Sequence, residues 1–399
     1  MRLLMITPNF PPEENPEAVV NYKLALALSQ AGVEMTVLTR ELDRGEKIDE
    51  SWPAELDAGE VVRIARPWHM LPARVVNNLT RARMRQVAMT WFGGRAYDAA
   101  RRLLRRGRFD AVLSRSGTVD AIAAVSHLQQ EFKPRWIAGI NDPLPPCLYP
   151  APYHGSGRNL RERLELKWLR KALSRADQVM FPCEALGRHL ARGLDLDFHG
   201  RMLVVPHIGW SAAPEKTNHL EILHAGSVGG PRISEPFFAA LAQALREFPS
   251  LARALRVTFL GKVNDDLGRV IARYGLSDNV RVEPHLGYGP SLRRMAQSHL
   301  LLLMEATLQE GIFFPSKFAD YSAAQKPLLL FCPERGTISD FVGGYEHPGF
   351  LGQSEEKCRE RLARLFHLLE RGDSIAAYAY PRPGDFDPAR VARELIARL

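Results

Sequence analysis

The 399-residue sequence has only four cysteines, Cys147, Cys183, Cys332 and Cys358, and none stands in CxxC spacing. That excludes a disulfide framework and a zinc knuckle and points to a reducing, cytoplasmic compartment. No window approaches 18 consecutive apolar residues, so no bilayer-spanning helix is expected, and the apolar stretch in the opening MRLLMITPNFPP is too short for a signal peptide. GxGxxG, the P-loop, HxxxH and HExxH are all missing, and no Ser-His-Asp or Cys-His arrangement follows from spacing. Helix-turn-helix, zinc-finger and RNA-recognition signatures are missing too, so nucleic acid is not expected as a partner. What is present, 46% hydrophobic, 25% charged and 9% aromatic residues, is the composition of a folded globular chain long enough for two to four domains.

The formal charge of +8 is unevenly spread. Residues 63–108 hold twelve arginines, no lysine and one acid, Asp98, a net +11, so the remainder of the chain carries −3. There Leu71, Val75, Val76, Met84, Val87, Met89, Trp91 and Phe92 interleave with the arginines as one or two basic amphipathic helices. Two readings fit this pattern: a solvated helix face packed on its own domain, or a surface for an anionic membrane or lipid substrate.

Short apolar runs alternate with helical stretches from the first residue. Strands are expected at 3–7, 34–39, 61–64, 111–114, 136–140, 179–181 and 203–205, with helices near 17–31, 119–132 and 160–174. The polar, Pro- and Gly-containing stretch 206–218 breaks the rhythm and reads as a linker, with a boundary near residue 212. Strands resume at 221–225, 257–260, 280–283, 300–304 and 327–331, with helices near 235–247 and 266–274. The expected fold is α/β: two doubly wound Rossmann-like domains, 1–212 and 213–384, facing across a cleft, with a last helix in 385–399 packing back on the first. A ligand is then expected at the carboxyl ends of the strands.

In the second domain the first strand runs into HAGSVGGPR, and glycines at a strand-to-helix turn let backbone amides approach an anion. Gly226 and Ser227 stand at that turn, and Arg232 adds a cation. Lys262 closes the second strand in Gly261-Lys262 and points a cation to the same end. In EGIFFPSKFADYSAAQKP, Pro315 suits the first position of a helix, an anion at that end would meet Ser316 and Lys317, and Asp320 one turn inside suits a diol such as ribose. The Asp195-Leu-Asp197 pair lies far in sequence from this loop and reads as a solvated turn, and His127 reads as an ordinary helix histidine.

These residues together resemble the family 4 retaining glycosyltransferases of the GT-B fold. ITPNFPPEENPEAVVNYKLALALSQAGVEMTVLT is similar to that family's first strand, Pro-rich loop, helix and second strand. WIAGINDPLPP, ADQVMFPCEALGRHL, VVPHIG, HAGSVGGPR, FLGKV and PSKFADYSAAQKPLLL follow in family order over nearly the whole chain. The resemblance implies transfer of a sugar from a nucleoside-diphosphate sugar to a glycan or lipid-linked acceptor with retained configuration. It implies no metal and no cofactor besides this co-substrate, and a place in envelope or exopolysaccharide synthesis at the inner face of the membrane. Arg232, Lys262 and Glu310 then carry the catalytic roles. Gly226, Ser227, Arg232, Lys262, Glu310, Gly311, Ser316, Lys317 and Asp320 form the donor site, and Asn15, Asn141 and Asp142 lie on the acceptor side.

Departures from the family pattern set an alternative beside this reading. Ser227 replaces the usual Arg, so Arg232, Lys262 or Lys317 must supply the missing cation. Asp320 lies ten residues after Glu310 where about eight are usual, and Glu14-Asn15-Pro16 replaces a Gly-Gly pair. A non-catalytic binding subunit with a degraded donor site is the alternative they suggest.

Overall fold

A computed structural model describes residues 1–52, 57–67, 71–86, 89–115, 117–153, 159–215 and 220–399. Parts of two sequence readings fall outside them: Val87 in the basic segment and residues 216–218 of the linker. The chain divides into two compact units. The first holds Met1–Pro150, His154–Ile208 and Pro388–Leu399, and the second Ala151–Tyr153 and Gly209–Asp387.

The first unit runs β1 (Arg2–Ile6), α1 (Pro16–Gln30), β2 (Glu34–Arg40), β3 (Glu60–Ile64), α2 (Ala73–Met84), α3 (Trp91–Arg106), β4 (Ala111–Arg115), α4 (Asp120–Glu131), β5 (Trp136–Gly139), α5 (Leu160–Leu173), β6 (Gln178–Phe181), α6 (Glu184–Leu194) and β7 (Met202–Val204). Its strands form one parallel sheet in the order β3-β2-β1-β4-β5-β6-β7. The strand order reverses between β1 and β4, the place where the loops after neighbouring strands diverge and leave room for a ligand. Helix α1 starts where Asn15-Pro16-Glu17 supplies a cap, a proline in the first turn and an acid at the positive end of the helix.

The second unit runs β8 (Glu221–Ala225), α7 (Glu235–Glu247), α8 (Pro249–Ala254), β9 (Arg256–Leu260), α9 (Asp265–Arg273), β10 (Val280–Glu283), α10 (Tyr288–Ala296), β11 (Leu300–Met304), α11 (Ser316–Ala323), β12 (Leu328–Phe331), α12 (Thr337–Val342) and α13 (Glu355–Arg371). Its parallel sheet has the order β10-β9-β8-β11-β12 and reverses between β8 and β11. Strands β11 (LLLLM) and β12 (LLLF) are buried at every position, as strands covered on both faces must be. Phe237, Phe238 and Leu241 of α7 pack in one core with Leu362, Leu365 and Phe366 of α13, each wholly buried and each worth about 1.5–3 kcal/mol of transfer free energy. The chain returns to the first unit as α14 (Pro388–Ile396), whose Val391, Ala392 and Leu395 are buried and which packs against α1.

Both expected layers of strands and helices are present. One local expectation shifts by a residue: Pro315 stands at the N-cap of α11 and Ser316 takes its first turn.

Candidate functional site

In the second unit the reversal point is bounded by the ends of β8 and β11. Strand β8 ends at Ala225, whose amide donates to the Tyr321 hydroxyl oxygen of α11 at 2.8 Å, so helix and strand end are tied together. Gly226 follows with φ +117°, and its amide donates to the Leu260 carbonyl at 2.7 Å. A Cβ on Gly261 would stand 2.8 Å from the Gly226 carbonyl carbon, and one on Gly226 would stand 2.7 Å from Lys317 Nζ. Two backbone turns and an ammonium group are thus packed closer than side chains permit, which accounts for both glycines.

Lys317, in the first turn of α11, places Nζ 3.1 Å from His224 Nε2. His224 Nδ1 lies 2.9 Å from the Leu302 carbonyl, which can only accept, so Nδ1 carries the proton and Nε2 receives one from Lys317. Burial, then the charges of Lys317 and Arg232, hold His224 well below the usual imidazole range, so it is neutral. Burial, then Arg232, pushes Lys317 down to about 7. Arg232 itself is exposed, at the end of the single turn Gly230–Arg232. No side chain caps α11. The site so far is two cations, a run of turn glycines and an uncapped helix N-terminus, an arrangement suited to a diphosphate.

The end of β11 contributes a carboxyl group. Glu305 is 5% exposed, and burial pushes it up to about 7 against the opposing pull of Cys332 and Arg232. Its Oε2 meets no hydrogen-bond donor among the described residues. Gly311 lies over that carboxyl group and is held by backbone: its amide donates to the Arg335 carbonyl at 2.8 Å, and its carbonyl accepts from the Thr337 amide at 2.8 Å and hydroxyl at 2.9 Å. A Cβ on Gly336, at φ +108°, would overlap the Gly311 carbonyl.

Of the donor-side residues singled out in the sequence, Gly226, Ser227, Arg232, Ser316 and Lys317 gather at β8 and the start of α11, and Gly311 at Glu305. Lys262 is exposed and holds the loop by backbone, its carbonyl accepting from the Val228 amide at 3.0 Å. Glu310 is half-buried. Asp320 is buried, and its Oδ1 accepts from the Trp210 amide at 2.8 Å and the Tyr288 hydroxyl at 3.1 Å. Burial and the Asp320 charge push the Tyr288 phenol well above its usual range. His224 and Glu305 were missed by sequence reasoning. The available signals were a histidine inside the apolar strand EILHA and an acid directly after LLLLM.

In the first unit the residues expected on the acceptor side gather at the N-terminus of α1. Asn15 Oδ1 accepts from the Glu17 amide at 2.9 Å, and Asn141 Nδ2 donates to both Glu17 oxygens at 2.8 and 3.0 Å. Burial raises the Glu17 carboxyl, Arg115 draws it back, and Asp142 adds to the rise. Arg115 is buried, is pushed down to about 10 by that burial, and donates from Nε to Asn21 Oδ1 at 2.8 Å. Asn141 Oδ1 meets no donor among the described residues. Glu17 and Arg115 are therefore part of this cluster, which the sequence showed only through Asn15, Asn141 and Asp142. Asp195 caps α6 in the left-handed conformation and pairs with Arg170 at 2.6 Å, and among the described residues no three His, Cys, Asp or Glu side chains converge to hold a metal ion.

The family described as Glycosyltransferase Family 4 matches over residues 18–207. Most of the first unit is thus similar to the family 4 glycosyltransferases, and the chain as a whole has the GT-B fold. Solved structures share the fold over its full length. The Anabaena protein HepE, solved in complex with UDP, is 14% identical with a TM-score of 0.66 over 100% of this chain and 99% of its own. Sucrose-phosphate synthase from Thermosynechococcus elongatus is 13% identical with a TM-score of 0.67 over 100% of both chains. A UDP-GlcNAc 2-epimerase from Neisseria meningitidis, solved bound to UDP-GlcNAc, is 13% identical with a TM-score of 0.52 over 100% of this chain and 99% of its own. No curated protein matches the sequence.

Proposed function

We propose that this glycosyltransferase moves a sugar from a nucleoside-diphosphate sugar to a glycan or lipid-linked acceptor, with retention of configuration, in envelope or exopolysaccharide synthesis. The observation that carries the donor half of this reading is the pairing of Lys317 with the Gly226 turn, beside Arg232 and the uncapped start of α11. As the bond between the sugar C1 and the phosphate oxygen breaks, negative charge grows on the diphosphate, and fixed cations with helix-end amides stabilise that charge without reorganising. Retention puts the acceptor on the face the diphosphate leaves, so a phosphate oxygen is the nearest base for the acceptor proton. Arg232, Lys317 and Lys262 hold the diphosphate, Glu310 and Gly311 contact the sugar, Asp320 holds the ribose, and no metal or further cofactor takes part. Asn15, Asn141 and Asp142, with Glu17, line the acceptor side. An epimerase shares the fold, and the family 4 match over the first unit favours transfer.

The deciding experiment is a thermal-shift panel of UDP, GDP, dTDP and ADP, each with and without magnesium. A nucleotide at about 100 times its Kd stabilises the native state by roughly 2.7 kcal/mol. Stabilisation by one nucleotide without metal supports the reading, and product anomers read by NMR then test retention. No stabilisation by any of them at millimolar concentration favours a non-catalytic subunit instead.

We also propose a peripheral contact with an anionic membrane, at its cytoplasmic face. Among the described residues no helix is long and apolar enough to cross a membrane. Leu71 and Leu79 beside and within α2 are 40% and 48% exposed, and Leu160 and Leu164 of α5 are 72% and 44% exposed. Trp168 of α5 packs against the cluster of Met84, Met89 and Ala123, and the Arg81 charge of α2 acts on Glu165 of α5. Arg74, Arg161 and Arg163 are exposed and stand within a few residues of these leucines in sequence, whereas Arg101 and Arg105 of α3 are paired with Glu131. The proposed contact runs through the basic segment 63–108, with the exposed leucines of α2 and α5 as its apolar part.

A further inference from the structure

His224 is wholly buried in the centre of the second sheet, where a leucine would pack without the cost of burying two polar nitrogens. Both nitrogens are used. The Leu302 carbonyl fixes the proton on Nδ1, so Nε2 presents a lone pair, and the group in front of it is the Lys317 ammonium. The Phe259 ring lies tilted against the imidazole, 5.7 Å between centroids, and limits its rotation. Among the described residues Lys317 has no carboxylate partner. The charged and titratable groups around it are His224 from β8 and Arg232 from the following loop, while Glu305 at the end of β11 interacts with Arg232. A lysine on a first helical turn ordinarily swings free through four rotatable bonds, and here its end is held over a glycine that leaves no room for a side chain.

We propose that His224 is a positioning residue for donor binding: its neutral imidazole, locked by the Leu302 carbonyl, holds the Lys317 amine over Gly226, where it meets the diphosphate of the donor. This rests on the donor reading above and goes beyond it in naming what aims the cation. The protonation of that amine is set by its burial and by Arg232. With Lys317 pushed down to about 7, the amine is mostly neutral at pH 8 in the empty protein, and the charge of a diphosphate restores the ammonium. Binding at pH 8 therefore takes up close to one proton, and affinity falls up to about tenfold per pH unit above pH 7. Anion binding near Arg232 favours the protonated form of Glu305 as well, so Glu305→Gln isolates the part owed to Lys317.

The test is isothermal titration of the full chain with UDP and with inorganic pyrophosphate, at pH 6.5 and pH 8, in two buffers of different ionisation enthalpy. The expected result is proton uptake at pH 8 in wild type and in Glu305→Gln, and its loss when Lys317→Met is added to Glu305→Gln. His224→Leu should weaken both ligands about tenfold or more and flatten the pH dependence. His224→Gln, which can donate to Leu302 and accept from Lys317, should recover much of the affinity, with melting temperatures confirming that each variant is folded. If His224→Leu binds as tightly as wild type with the same proton uptake, the positioning role is overturned. If wild type binds pyrophosphate and UDP with no proton uptake, the coupling to Lys317 is overturned while the donor site stands. If wild type binds neither ligand, the donor reading fails and this inference falls with it.

Discussion

Glu305 Oε2 ends 3.7 Å from the point that a Cβ on Gly311 would occupy, and no hydrogen-bond donor among the described residues reaches that oxygen. A buried carboxyl oxygen without a donor costs about 1–3 kcal/mol, and a hydroxyl of a bound sugar would remove that cost. Gly311→Ala tests this directly. The nearest atoms to the new methyl are 3.5 Å or more away, an ordinary contact, so the melting temperature should stay within a degree or two of wild type or rise slightly. Titration with the stabilising nucleotide sugar should show a loss of affinity of about tenfold or more relative to the free nucleotide, a difference of about 1.4 kcal/mol. Equal loss for nucleotide and nucleotide sugar would place the effect at the diphosphate instead.

The same carboxyl group makes stability depend on pH. Glu305 is pushed up to about 7 from 4.5, so the native state binds its proton more tightly than the unfolded chain does. Stability should therefore decline as pH rises from about 4.5 to about 7, by an amount on the order of 3 kcal/mol from this one group. Lys317, pushed down, acts in the opposite sense above pH 7, and the buried neutral His224 and His207 do so below about pH 6.5, so the quantity to read is the difference between wild type and Glu305→Gln from pH 5 to 7. Melting temperatures of wild type and Glu305→Gln across that window should diverge, with wild type losing stability relative to the variant as pH rises. Parallel curves would mean that the carboxyl group titrates near its ordinary value.

Asp320 separates two roles that one carboxylate can hold. Its Oδ1 accepts from both the Trp210 amide and the Tyr288 hydroxyl, which ties the segment after Ile208 to α11. Asp320→Ala strands both donors and should destabilise by about 1–3 kcal/mol, whatever the ligand. Asp320→Asn keeps an acceptor oxygen for them and loses the charge that suits a diol. A near-native melting temperature with weakened nucleotide binding in Asp320→Asn assigns the ribose role, and native affinity in that variant leaves Asp320 a structural residue only.

That double role illustrates what could be read from the sequence and what could not. The strands were legible because parallel strands covered on both faces are short apolar runs, as LLLLM and LLLF are, and the turn glycines were legible because few other residues tolerate φ +117° at Gly226. Helix α13 carries its own signals, Ser354 as a cap and Gly372 at φ +70°, but no strand follows it, so the alternating rhythm passes over it. The partners of Asp320 lie 110 and 32 residues away, and those of His224 lie 78 and 93 away, distances at which no local pattern operates. Glu305 and His224 look like ordinary polar residues in sequence. Their character comes from being buried at the strand-order reversal, which only the fold establishes.

The basic face can be tested apart from catalysis, because none of its residues belongs to the donor site. Leucines at 40–72% exposure on α2, α5 and the residue two before α2, with exposed arginines beside them in sequence, combine the two terms that hold a protein on an anionic bilayer: apolar insertion, and about 1 kcal/mol per arginine near the surface. Flotation with phosphatidylglycerol vesicles should recover the protein at low salt and lose most of it at about 0.5 M salt, where screening is effective within a few ångströms. Leu79→Asp combined with Leu164→Asp should abolish flotation without changing nucleotide binding. Replacing Arg101 and Arg105, already paired with Glu131, should change it little. Equal recovery with phosphatidylcholine vesicles would show that charge does not drive the contact. Flotation that survives the leucine pair but not neutralisation of α3 would move the contact to the other helix of the basic segment.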